Sequence, residues 1–309
     1  MAPALTDALP TAPHQLAGPA PLSIFPDGLK TTGQHAPLYD HILPFDRFPR
    51  QITGPTVWKA EDYREHPEKW THQFTPEQVE ELSAAADAFL ASKTPLTGIT
   101  KNNFVLPKLA SFLEDLRLDI IDGKGFILFK GFPVEKWGNH KSAVAYMGLG
   151  TYLGYFVSQN SRGHVLGHVK DLGEDSTQID KVRIYRTNAR YVDPNLQIIN
   201  PKTNVRCSQF FHADDSDIVG LLCIAKALEG GESDIVSSHH VYNTLAVERP
   251  DVLKTLIEPI WYFDRKGETS KGQDEYIRTS VIYLERGEQG RVYTKYVHHT
   301  THTEKEKKV

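Results

Sequence analysis

The stretch QFFHADDSDIVGLLC, residues 209–223, sets one imidazole and three carboxylates directly before an apolar run. On a strand, residues i and i+2 point to the same face. An extended backbone here projects His212 and Asp214 together, as an imidazole nitrogen beside a carboxylate oxygen. Two histidines and one carboxylate on one face of an octahedral ion bind Fe(II) and leave positions open for a co-substrate and dioxygen. The spacing by itself is weak. H-x-[DE] occurs three times, at His66/Glu68, His212/Asp214 and His302/Glu304, where chance in such a composition gives roughly two. A histidine beside a sheet edge is often a hydrogen-bonded surface residue. Asp215 and Asp217 read equally well as solvated charge or a turn.

The chain around this stretch has 309 residues, 39% hydrophobic and 24% charged, the composition of an ordinary globular protein. A net charge of -4, with both signs spread along the chain, offers no basic footprint for nucleic acid and no polybasic membrane patch. Two cysteines, Cys207 and Cys223, cannot form a disulfide framework and suit a reducing compartment. No apolar run approaches the ~18 residues of a membrane helix, and the start lacks the basic and apolar regions of a signal peptide. A cytoplasmic protein is the expectation.

Residues 1–36, rich in Pro, Ala, Gly and Thr, read as a loose tail, and 37–117 as a helical and irregular N-terminal region. Thr75, Pro76 and Gln78 spell a capping box, and Phe74 with Val79 a hydrophobic staple. Val79, Leu82, Ala86, Phe89 and Leu90 then form one apolar stripe of a helix. Further helices are expected over 107–120, 139–152, 239–248 and 250–257. Strands are expected at FILFKGFP (126–133), 217–225, 233–238 and in a hairpin within 276–295. Helices first and short strands later argue an α+β protein with a jelly-roll core.

The run DIVGLLCIAKALEGGESDIVSSHHVYN continues the pair with an apolar strand, a Gly-Gly turn, a second strand and a helix. It resembles the taurine/2-oxoglutarate dioxygenase (TauD/TfdA-like) family, in which an H-x-D pair precedes such a strand and a G-G-x-[ST] turn. GKGFILFKGFPVEKW (123–137) is similar to that family's early strand, and QNSRGHVLGHVKDLG (159–173) looks like a subgroup apart from the taurine enzymes. The resemblance covers residues 118–295. It implies a double-stranded β-helix (jelly roll) with flanking helices, oxidising a small molecule with Fe(II), 2-oxoglutarate and dioxygen. His212 and Asp214 would be iron ligands, and Ser233 would stand where the family's threonine contacts the 2-oxoglutarate carboxylate. An ordinary turn hydroxyl is the competing reading of Ser233. Gln159, Asn160, Arg162, His164 and His168 would line the substrate side, or would equally serve a polar loop's backbone. Oligomeric state stays open.

Two segments depart from the family. Residues 191–208 insert YVDPNLQIINPKTNVRCS before the pair, and 296–309 replace the region that carries the family's distal histidine and oxoglutarate-binding arginine. His298, His299 and His302 could chelate a metal if helical, but read better as a frayed, solvated tail. Both segments follow a basic residue and open with Tyr-Val, and the codons at that junction can spell a splice donor. Thr203-Asn204 and Cys207-Ser208 can encode a branch point and an acceptor. The expectation is two translated introns and a jelly roll lacking its C-terminal strands, against a genuine insertion and a divergent tail. Two further readings compete with the enzyme: a catalytically dead dioxygenase scaffold that binds a ligand or partner, and a cupin-like zinc protein.

Overall fold

The computed structural model describes residues 43–156, 165–167, 211–213, 216–226, 232–264, 276–284, 290–295 and 301–303. Helix α1 (Pro76–Ala91) opens with the expected box. Thr75 Oγ1 accepts from the Gln78 amide at 3.3 Å, and Gln78 Oε1 accepts from the Thr75 amide at 3.0 Å. Its stripe buries Leu82, Ala86 and Phe89. Leu82 and Phe89 each contribute about 1.5–3 kcal/mol on leaving water, and Ala86 about 0.8 kcal/mol. Helix α2 (Leu109–Asp122) has no capping side chain of its own. Glu81 of α1 supplies one, accepting from the amides of Lys108 at 2.7 Å and Leu109 at 3.4 Å. A carboxylate there also answers the positive end of the helix dipole. After α2 the chain turns through Gly123 and Gly125, the latter at φ 89°, where a side chain would be strained.

Helix α3 (Val134–Leu153) contains a break at Gly138, whose φ of 69° and ψ of 173° are not helical. The continuous part after the break coincides with the expected helix over 139–152. Ser142 lies four residues beyond the break. Ser142 is fully buried and its hydroxyl has no partner.

Strands β1 (Thr71–Gln73) and β2 (Leu128–Lys130) pair in parallel, the latter inside the expected strand 126–133. Phe74 and Phe129 stack at 4.9 Å and, with α1, α2 and α3, enclose the first apolar cluster. His72 is stacked on Phe112 at 4.3 Å, and its Nε2 lies 3.0 Å from Gln78 Oε1. The ring nitrogen must therefore donate.

The second cluster is built by α4 (Ser238–Glu248), α5 (Pro250–Ile257) and short strands. Both helices match the expected spans. Strand β3 (Trp261–Asp264) pairs antiparallel with β4 (Tyr276–Thr279) and with β7 (Thr301–Thr303). Strands β5 (Ile282–Leu284) and β6 (Val292–Thr294) make the hairpin expected within 276–295. The pairing of β7 with β3 corrects the expectation of a wholly solvated tail, because the backbone of 301–303 finds a ladder partner.

Residues 43–58 cross from one cluster to the other. Phe48 is buried in the second cluster, while Trp58 Nε1 donates to the carbonyl of Lys124 at 2.8 Å, beyond the end of α2. Arg291, just before β6, also reaches the end of α2, donating to the Ile121 carbonyl at 3.2 Å and pairing with Asp122.

The architecture is α+β, with sheets of two, three and two strands among the described residues. Two expected strands are not formed. Residues 217–225 and 233–237 carry no ladder, and 238 already begins α4. Val219, Leu221, Ile235 and Val236 are exposed. Composition made these segments strand-like, but a strand exists only where a neighbour takes its amides and carbonyls.

Candidate functional site

His212 lies exposed in the irregular run 211–213, next to exposed Phe211. Asp214 lies outside the described residues, as do Gln159, Asn160, Arg162, His164, His168, His298 and His299. The inserted segment 191–208 is also outside them. Ser233 is exposed in the irregular run that leads to α4. Among the described residues no group of three or more His, Cys, Asp and Glu side chains converges as a metal site.

The other two H-x-[DE] matches resolve differently. His66 and Glu68 form an exposed surface pair at 3.0 Å. The Glu68 carboxyl is held below its usual range, first by a backbone amide and then by His66. His302 sits in β7 opposite Tyr262 of β3.

Gly220, eight residues after His212, lies against Tyr146 of α3. At Gly220 an added Cβ would lie 2.6 Å from the hydroxyl oxygen of Tyr146 and 3.4 Å from its Cζ. The phenol end of Tyr146 therefore abuts the backbone eight residues beyond His212. Burial raises the Tyr146 phenol above its ordinary value.

The run holding Ser233 is anchored at its far end. Ser237 Oγ accepts from the His240 amide at 3.0 Å, capping α4, and donates to the Thr56 carbonyl at 2.6 Å. His239 sits 2.9 Å from the Val292 carbonyl through Nε2 and 2.7 Å from Thr56 Oγ1 through Nδ1. A carbonyl only accepts, so Nε2 donates to Val292. Asn243 exchanges two bonds with the backbone of Ile52, both at 2.8 Å, and the Tyr242 hydroxyl donates to the Pro49 carbonyl at 2.6 Å. Burial pushes the Tyr242 phenol up to about 12. His239, Tyr242 and Asn243 were not singled out in the sequence, yet their i, i+3, i+4 spacing puts them on one helix face. That face fastens residues 49–56 beside the run that carries Ser233.

The donors fit ferrous iron in kind. An imidazole nitrogen and a carboxylate oxygen two residues apart are borderline and hard ligands of the set that Fe(II) takes. Among the described residues, no helix is long and apolar enough to cross a membrane.

Comparison with known proteins bears on the same stretch. Residues 92–308 match the model of the family described as taurine catabolism dioxygenase TauD, TfdA family. The match is wider at both ends than residues 118–295 and includes most of the segment after Lys295. The chain is 25% identical over 239 residues to FR-33289 synthase of Streptomyces rubellomurinus, covering 77% of this chain and 65% of that protein. It is 29% identical over 187 residues to taurine hydroxylase-like protein SAT17 of Stachybotrys chartarum, covering 60% of this chain and 45% of that protein. The chain thus spans 65% and 45% of the lengths of these curated relatives.

Proposed function

The chain belongs to the taurine catabolism dioxygenase TauD, TfdA family, and from that premise we propose that it is an Fe(II)- and 2-oxoglutarate-dependent dioxygenase that hydroxylates a small molecule. The observation that carries this reading is the family match across 92–308, which encloses both the His212/Asp214 pair and the GGES turn in their expected order. The jelly-roll core belongs to the same proposal.

His212 and Asp214 would hold the iron, and Ser233 would donate a hydrogen bond to the 2-oxoglutarate carboxylate. Bound iron supplies the redox chemistry that couples 2-oxoglutarate oxidation by dioxygen to oxidation of a substrate C–H bond. The chain's own tasks are to fix the ligands, orient that bond and exclude water. The His239 face of α4 serves the first task, because it fixes the helix into which the Ser233 run leads. Gln159, Asn160, Arg162, His164 and His168 are the proposed substrate-facing set. The two relatives carry different names, one a synthase and one a taurine hydroxylase-like protein, so the substrate class proposed here is no narrower than a small organic molecule.

Release of succinate from 2-oxoglutarate by the purified chain, requiring added Fe(II) and dioxygen, tests the reading. Succinate formation that disappears in His212→Ala supports it. A folded chain that binds Fe(II) or 2-oxoglutarate without releasing succinate would mark a scaffold instead. Zinc retained through purification, with no response to Fe(II), would mark a cupin-like zinc protein.

A further inference from the structure

We propose that His239 is the keystone of a joint that couples the two apolar clusters: by holding Thr56 and Val292 at a fixed spacing, it lets Trp58 and Arg291 grip the end of α2 together. The joint involves none of the proposed iron ligands and stands apart from the chemistry.

Three observations converge on it. First, the contacts close into a ring. His239 Nε2 donates to the Val292 carbonyl at 2.9 Å, and its Nδ1 lies 2.7 Å from Thr56 Oγ1. Two residues after Thr56, Trp58 Nε1 donates to the Lys124 carbonyl at 2.8 Å. One residue before Val292, Arg291 donates to the Ile121 carbonyl at 3.2 Å and pairs with Asp122. Both arms end on residues 121–124, and one imidazole ties their other ends together. Second, the ring spans the two clusters. Val292 is a buried member of the second, to which α4 adds Tyr242. Trp58 lies 5.0 Å from the ring of Phe126, whose neighbour Ile127 packs against the first. Third, the arms are weak singly. Arg291 and Asp122 are 41% and 54% exposed, and such an ion pair contributes little when both side chains must be ordered for it alone. Fixing the Val292 backbone beforehand lowers that ordering cost. Contacts within one network are not additive, whereas separate ones are. A disturbance on α4 is therefore felt at the far end of α2.

Amide hydrogen exchange of the full chain, resolved by mass spectrometry, tests the joint. The sensor is residues 120–125, where the Gly123 amide donates to the Asp119 carbonyl at 2.9 Å. His239→Phe keeps a planar ring and deletes both of its bonds. Trp58→Phe deletes the indole N–H that reaches Lys124. Thr56→Val keeps the side-chain shape without the hydroxyl, and Thr56→Ser keeps the hydroxyl.

His239→Phe is expected to speed exchange at 120–125 roughly fivefold, about the worth of one hydrogen bond, although its own bonds touch none of those residues. Trp58→Phe should do the same, and the two together should fall well short of the product of the singles. Thr56→Val should reproduce the effect in part, and Thr56→Ser should not. Amides of α1 should exchange as before. Exchange at 120–125 indifferent to His239→Phe overturns the proposal. So do effects of His239→Phe and Trp58→Phe that multiply in full, or α1 amides that speed up equally, which would mark general loosening. If His239→Phe does not fold, Thr56→Val decides alone: unchanged exchange at 120–125 in that variant overturns the joint.

Discussion

Gly148→Ala should destabilise the protein, against the usual rule for a helix interior. Replacing glycine by alanine within a helix ordinarily gains about 1 kcal/mol. At Gly148 in α3 the new Cβ would lie 2.4 Å from Cδ1 and Cγ of Phe104 and 2.5 Å from Cδ2. The ring lies face-on to the helix backbone and is fully buried. It must retreat by roughly 1 Å to reach an ordinary contact distance near 3.5 Å. Its own backbone resists, because the Phe104 carbonyl accepts from the Tyr152 hydroxyl at 3.0 Å and that hydroxyl accepts from the Leu106 amide at 2.9 Å. Overpacking of a tight core costs about 1–3 kcal/mol, and this anchored ring belongs at the upper end. Set against the propensity gain, the net loss is about 2 kcal/mol, or roughly 3 °C in Tm for a chain of 309 residues. Thermal unfolding followed by circular dichroism measures it. Phe104→Leu in the same chain should absorb the methyl group, so the double variant should be less destabilised than the sum of the singles by at least ~1 kcal/mol. A higher Tm for Gly148→Ala would refute the packing described here.

Asn243→Ala deletes both bonds to the Ile52 backbone and leaves an amide and a carbonyl with reduced satisfaction. A loss of about 1–3 kcal/mol is expected in urea unfolding, with faster hydrogen exchange confined to residues near 52. Ser142→Ala removes the orphaned hydroxyl and keeps the volume nearly constant; stability should hold or rise by up to ~1 kcal/mol in the same assay. Tyr242 gives a pH dependence. Its phenol titrates near 10 when unfolded and is raised by burial to about 12 in the fold. The unfolded chain loses the proton first, so stability is whole below pH 10 and declines from there to about 12. Tyr242→Phe should flatten that alkaline decline while losing about 1 kcal/mol at neutral pH with the bond to Pro49.

Local chemistry was the most legible part of the sequence. Thr75, Pro76 and Gln78 spelled the start of α1 because a capping box is self-contained within four residues. Pro250 stands in the first turn of α5, whose expected span of 250–257 the structure matches. The break at Gly138 left its trace in an expected helix that began at 139. Strands were less legible, for a physical reason. DIVGLLCIA and SDIVSS have the composition of buried strands, but pairing depends on a partner that no short window reveals, and these segments form no ladder. The tail showed the converse. Thr301–Thr303 looked like solvated residues and found β3. At the site, His212 was conspicuous because a motif, an apolar run and a Gly-Gly turn follow one another. Tyr146 was not, since a tyrosine 66 residues before His212 carries no local signal. His239, Tyr242 and Asn243 lay between these cases, visible as a helix face but not as a fastening for residues 49–56.

Anaerobic titration of the full chain with Fe(II), followed by calorimetry and by metal analysis after gel filtration, bears most directly on the assignment of His212 and Asp214. One equivalent bound, with binding abolished in His212→Ala and in Asp214→Ala while both variants stay folded, is the expected result. Iron bound as well by His212→Ala as by the unsubstituted chain would contradict the account.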